Sequence, residues 1–120
     1  DQWDQIASKV LKADGLVMGT PVYWNAVSGQ MKIFMDRCFS FLDENFESQI
    51  KDKSGAIVVT CGAPDAAMTK ISKLIIEDFM KFNKIGIVGE VVGVNMQNKD
   101  DALKNQELMA AAFQTGRKFI

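Results

Sequence analysis

Ala13-Asp14-Gly15-Leu16-Val17-Met18-Gly19-Thr20-Pro21-Val22-Tyr23-Trp24-Asn25-Ala26-Val27-Ser28 is the stretch on which the fold turns. Gly15–Gly19 is a short apolar run bounded by turn residues, the pattern of a strand buried on both faces. Thr20–Val27 reads as a loop, since Pro21 fixes φ and removes a ladder donor. Ser28 then offers an N-cap for a helix running to about Leu42, with Met31, Phe34, Met35, Cys38 and Leu42 on one face. Upstream, Trp3, Ile6, Ala7, Val10 and Leu11 recur at helical spacing, with Lys9 and Lys12 opposite them.

The same alternation continues downstream. Asp43–Ser54 is polar and reads as a solvated connection. Ala56–Thr60 is a second buried strand, followed by the turn-rich Cys61-Gly62-Ala63-Pro64-Asp65. Asp65 is a cap for a helix over Ala66–Asn83, with an expected buried stripe of Met68, Ile71, Ile75, Phe79 and Phe82. Gly86–Val94 is a third strand, whose glycines predict a bend or bulge. Asp100 and Asp101 open a last amphipathic helix that runs close to Ile120. Strands separated by helices imply right-handed crossovers and a parallel sheet, with helices on both faces. Ligands of such sheets bind beyond the carboxyl ends of the strands, where Thr20–Val27, Cys61–Asp65 and Asn95–Asn98 gather.

Composition removes several functions. The 120 residues carry 14 Lys+Arg against 15 Asp+Glu, a net charge of −1, and no His. That balance argues against nucleic acid as a partner, which needs clustered positive charge. Without His there is no His-based triad and no His-ligated metal. No apolar run approaches a membrane span, and the first residues given do not have the basic-then-apolar form expected of a signal peptide. Cys38 and Cys61 suit reduced thiols in a cytoplasmic setting.

The loops offer binding chemistry rather than acid–base chemistry. Tyr23 and Trp24 supply flat apolar faces, and the amides around Asn25–Val27 are expected to be free to donate. That mixture suits a flat heteroaromatic ligand; packing of both rings on a neighbouring helix or partner subunit is the competing reading. Gly62 lets the backbone approach the same ligand, and Cys61–Pro64 as a bare turn needs none. Cys61 has no activating cation nearby in sequence, so no catalytic nucleophile is assigned. Asp43/Glu44 and Asp100/Asp101 read as solvated loops or caps, and Lys32 with Asp36 as a surface pair. Arg37 reads as solvated, though within reach of a cofactor phosphate or partner. With neither a base nor a metal cluster, any reaction chemistry belongs to a bound cofactor.

The run Ala13–Lys32, continuing to Met35-Asp36-Arg37, resembles the flavodoxin-like NAD(P)H-dependent FMN reductase family, which includes the flavin subunit of iron-sulfur flavoproteins. The shared pattern is ADG-(I/L)-V-x-G-(T/S)-P-x-Y, then SG-x-(M/L)-K and DR; Ser54–Gly62 fits more weakly. The resemblance implies a three-layer αβα fold with FMN at the carboxyl edge of a parallel sheet. It implies that Thr20, Pro21, Val22, Tyr23, Trp24, Asn25, Ala26, Val27 and Ser28 wrap the flavin ring, with Cys61 and Gly62 approaching from the other side. It also implies hydride transfer from NADH or NADPH to FMN and onward to a quinone, nitro, flavin, metal or protein acceptor, in a homo-oligomer.

The family's phosphate-binding loop, of the form G-S-x-R-x-x-S/G-x-T, has no counterpart here. Residues 1–120 are therefore expected to be the C-terminal part of one flavodoxin-like domain. The first two strands would be lacking and Gly15–Gly19 left at an edge. The other readings are a flavodoxin-type electron carrier, which near-zero charge disfavours, and a flavin-free interaction module.

Overall fold

A computed structural model describes all of residues 1–120. Its elements are α1 (Trp3–Lys12), β1 (Gly15–Pro21), α2 (Gly29–Arg37), β2 (Ser54–Thr60), α3 (Lys70–Phe82), β3 (Gly86–Gly93), α4 (Asp101–Lys104) and α5 (Gln106–Arg117). The strands form one parallel sheet in the order β1-β2-β3. Gly15 aligns with Ser54 and Ser54 with Gly86 at one end, Pro21 with Thr60 and Thr60 with Gly93 at the other. Between Gly55 and Ala56 the register slips, because Val88 of β3 has no opposite number. The expected bulge is there.

One face of the sheet carries the core. Met18, Ile57 and Val59 pack with Val10 of α1, Cys38, Phe41 and Ile50, and Ile76 and Met80 of α3. Trp3 completes this layer, its ring 6.2 Å from Phe34 and 5.7 Å from Phe41. The other face is covered by α5, which lies against Gly93 through Leu108 and against Gly89 through Thr115. No helix is long and apolar enough to cross a membrane.

Several expectations need correction. β1 is buried on one face only: Val17 is 65% exposed, because α5 lies over β3 and leaves the β1 side of that face open. Helix α2 ends at Arg37 and tightens into a 3-10 turn over Cys38–Phe41. The polar stretch 43–54 is not wholly solvated. Leu42 and Ser48 form an antiparallel bridge, Ser48 donates to Asn83 Oδ1 at 2.6 Å, and Ile50 is pulled fully into the core. The third helix begins as a 3-10 turn, Ala66–Thr69, with Asp65 Oδ1 accepting from the Ala67 amide at 2.8 Å. Its buried stripe is Thr69, Ser72, Ile76 and Met80; Met68, Ile71 and Phe82 are exposed, and Ile75 and Phe79 pack half-buried against the core. The last helix is split, since Asn105 leaves helical φ/ψ and its Oδ1 caps α5 by accepting from Leu108 N–H at 3.0 Å.

The expected cap of α2 is present: Ser28 Oγ accepts the Met31 amide at 3.2 Å. Ser28→Ala removes that acceptor and should lower unfolding free energy by about 1 kcal/mol, read as a shift of the urea midpoint at constant m-value.

Candidate functional site at the carboxyl edge of the sheet

Three loops meet at the carboxyl ends of the strands, joined by backbone hydrogen bonds. Val22 N–H donates to Thr60 O at 2.8 Å, Cys61 N–H to Gly93 O at 2.9 Å, and Met96 N–H to Cys61 O at 2.9 Å. Gln97 Nε2 donates to Gly62 O at 3.0 Å. Asp101 locks the third loop, its Oδ2 accepting from Asn98 N–H at 2.7 Å and Gln97 N–H at 2.9 Å. The Asn98 backbone hydrogen bond is the main reason its carboxyl sits below the usual range. Asp101 was legible only as a cap; a carboxylate at the head of a helix, three and four residues past two loop amides, is the signal for this role.

The first loop is a small device in its own right. Thr20 Oγ1 accepts the Ser28 amide at 2.9 Å and donates to Pro21 O at 2.8 Å, closing the loop base. Tyr23 and Ala26 exchange both backbone hydrogen bonds, at 3.0 and 3.1 Å. Between them Trp24 and Asn25 have φ of 50° and 61°, the geometry of a type I′ turn. Asn tolerates that region; Trp does so at a cost. The turn holds the Tyr23 ring 60% exposed and the Trp24 ring fully exposed. Trp24 thus packs on no helix of the same chain, and Tyr23 is more exposed than covered.

The predicted residues divide into two groups. Thr20, Val27, Ser28 and Cys61 are buried and hold the loops. Tyr23, Trp24, Asn25 and Gly62 face solvent, with Pro21, Val22 and Ala26 half-buried beside them. One expectation fails: the Ala26 amide is not free, because the turn uses it. The amides of Trp24, Asn25 and Val27 make no bond within the chain.

Other candidates fall away. Arg37 lies at the far end of α2 from this edge, paired with the Asp1 carboxylate and stacked 4.9 Å above the Trp3 ring. Burial pushes the Cys38 thiol up to about 12, so it carries no thiolate at neutral pH. Cys61 is buried, with Sγ 3.5 Å from Ala63 O. Lys32 and Asp36 form the expected surface pair at 2.5 Å.

Comparison with known proteins places this architecture. An iron-sulfur flavoprotein of Methanocaldococcus jannaschii is 30% identical over 112 residues, covering 89% of this chain and 56% of its own length. The chain spans between 45% and 64% of the length of the curated relatives it matches. The solved Trp repressor binding protein from Bacillus subtilis superposes with a TM-score of 0.79 at 27% identity, over 93% of this chain and 69% of that one. An NADH:FMN oxidoreductase in its apo form shares the fold, with a TM-score of 0.74 at 18% identity over 98% of this chain and 58% of that one. The family model described as NADPH-dependent FMN reductase matches residues 1–99. With that match, and with a parallel sheet whose carboxyl-edge loop presents two open aromatic rings, the chain belongs to the NADPH-dependent FMN reductase family.

Proposed function

We propose that this chain forms the ring-binding side of an FMN site in an NAD(P)H oxidoreductase. The electrons would pass to a quinone, nitro compound, flavin or metal centre. The observation that carries the reading is the Tyr23–Ala26 turn, which spends backbone strain to hold two aromatic rings in the open at the ligand edge of the sheet. Bound FMN would supply the hydride and electron chemistry. The chain's own residues would do the rest: Tyr23 and Trp24 give apolar faces to the ring, and the amides of Trp24, Asn25 and Val27 are available to its polar edge. Gly62 leaves the backbone open to approach, since a Cβ there would meet nothing nearer than Gln97 Cγ at 3.5 Å. Buried Thr20, Val27, Ser28 and Cys61 would keep the loops in place.

The residues suit the ring more than the phosphate. None of the residues in 13–31, 54–69 or 86–98 is Lys or Arg. The start of α2 is also partly closed by its own chain, Ser28 N–H going to Thr20 and Met31 N–H to Ser28. The loops at this edge therefore bring no cation of their own to the phosphate end of the ligand. In calorimetric or fluorescence titration of this chain, riboflavin should bind within about fivefold of FMN, a phosphate cradle being worth far more than that. A preference for FMN above about a hundredfold would place a phosphate site within these residues after all.

Hydride acceptance is tested by anaerobic bleaching of the FMN-loaded full-length protein with NADH or NADPH. A protein that holds FMN but does not bleach would be an electron carrier instead. The net charge of −1 speaks for the reductase, because carriers dock through strongly acidic surfaces. Two free, buried cysteines fit a cytoplasmic location. A homo-oligomer completes the proposal.

A further inference from the structure

The carbonyls of Cys61, Gly62 and Ala63 all turn toward the third loop. Cys61 O accepts from Met96 N–H at 2.9 Å, Gly62 O from Gln97 Nε2 at 3.0 Å, and Ala63 O from Asn95 N–H at 3.0 Å. Asn95 takes a φ of 57° to bring its amide there, a conformation its short polar side chain tolerates. No peptide bond is cis, so each N–H points opposite to the carbonyl of its own peptide plane. The Gly62 and Ala63 amides therefore both point away from the third loop, and neither has a partner in the chain. Pro64, with no N–H, ends the row.

The two amides arrive there for different reasons. Val22 N–H pairs with Thr60 O, so Gly62 N–H is the next rung of β2 on the β1 side, left unused. In an extended chain the Gly62 carbonyl would follow its own amide to that side, and the Ala63 amide would face the opposite way. By capturing the Gly62 carbonyl, the Gln97 side chain turns that peptide over and brings the Ala63 amide round beside the Gly62 amide. Successive amides on one side form a concavity suited to a carbonyl or negatively charged ring atom. Gln97 is itself held, since Asp101 Oδ2 accepts its backbone N–H at 2.9 Å and that of Asn98 at 2.7 Å. We propose that Gln97 is a positioning residue, with Asp101 as its support, setting the Gly62–Ala63 peptide so that two amides face the polar edge of the flavin ring. The inference rests on the FMN reading above. Reduction adds negative charge to that edge, so the paired donors hold the reduced ring more tightly than the oxidised one.

Gln97→Met keeps the length of the side chain and removes its donor. In the FMN-loaded full-length protein, oxidised FMN should still bind within about twofold of the original affinity. Reduced FMN should bind about tenfold less tightly, which lowers the midpoint potential by about 30 mV for a two-electron couple. Asp101→Ala should do the same, and combining it with Gln97→Met should add little, because both act on one peptide. Asp101→Asn should stay near the original potential, since its amide oxygen can still accept both loop N–H groups. A second measurement needs no flavin. In backbone amide NMR relaxation of the flavin-free protein, the Ala63 order parameter should fall from about 0.85 to below about 0.6 in Gln97→Met. An unchanged Ala63 order parameter overturns the proposal. So does an equal loss of affinity for oxidised and reduced FMN, which would make Gln97 a general support of the loop. A wild-type protein that binds no flavin sinks the FMN reading instead, and the relaxation measurement still decides whether Gln97 holds the peptide.

Discussion

Replacing Tyr23 and Trp24 together by alanine should weaken FMN binding by about 10- to 100-fold, since each stacked aromatic contributes about 1 kcal/mol or more. The unfolding midpoint should move by no more than about 2 °C, because neither ring supports the core. Both parts follow from one observation, the exposure of the two rings, 60% and 100%. Trp24 touches nothing in the folded chain and Tyr23 is more exposed than covered, so most of the affinity lost on truncation must come from what the rings meet when ligand arrives. The turn itself should persist, as it rests on the paired Tyr23–Ala26 backbone bonds rather than on the rings. Trp24→Asn alone is the cleaner single variant, because Asn suits φ near 50° better than Trp or Ala does. It should lose flavin affinity while gaining slightly in stability. An FMN affinity unchanged in the double variant would remove these rings from the site.

Much of the site-bearing half of the fold is written locally. The apolar run at Gly15, the proline after it and the capping Ser28 specify strand, loop and helix from residues a few positions apart; all three elements and the cap are present, though β1 runs on through Thr20 and Pro21, expected in the loop, and α2 ends at Arg37. What was not legible depended on distant partners. The buried stripe of α3 runs through Thr69 and Ser72, polar residues that helical periodicity assigns to solvent. Thr69 resolves its burial by donating to Ala66 O at 2.7 Å, while the Ser72 hydroxyl is left with no partner in the protein. Ile50 has polar neighbours in sequence and enters the core on a segment tied to distant partners, Ser48 to Asn83, 35 positions away, and Gln49 N–H to Phe41 O. Val17 shows the converse. A β-branched residue in an apolar run reads as buried, but burial requires something to lie over it, and α5 does not reach that far. At the site, the loop was recognisable from its aromatics and proline. Its I′ geometry was not, because Trp is a poor guide to a left-handed position and only the closing Tyr23–Ala26 bonds impose it.

A large stability effect should come from the opposite face of the sheet, at Gly89. A Cβ added there would lie 2.7 Å from Thr115 Cγ2 and 3.0 Å from its Oγ1, inside van der Waals contact with a short side chain held by α5. The helix can relieve this only by moving off β3, so Gly89→Val should cost about 3 kcal/mol and lower the melting temperature by about 10 °C. Clash, not propensity, sets the sign, since valine is the better strand residue in the abstract. Two controls separate the causes. Gly116→Ala changes the residue next to Thr115 on the same helix, but a Cβ there meets nothing within 4 Å. That substitution should therefore stabilise by about 0.5–1 kcal/mol, through helix propensity and reduced unfolded-chain entropy. Thr115→Ala removes both contacting atoms, so the pair Gly89→Ala with Thr115→Ala should cost less than the two single changes summed. The effect should also reach the site. Asp101 fixes the Gln97 and Asn98 amides from a helical turn only one residue before α5. If α5 is displaced, hydrogen exchange in Gly89→Val should speed up at Gln97, Asn98 and α5 while α1 and α2 stay protected. A uniform loss of protection across the sheet would mean instead that α5 and the core face unfold as one unit.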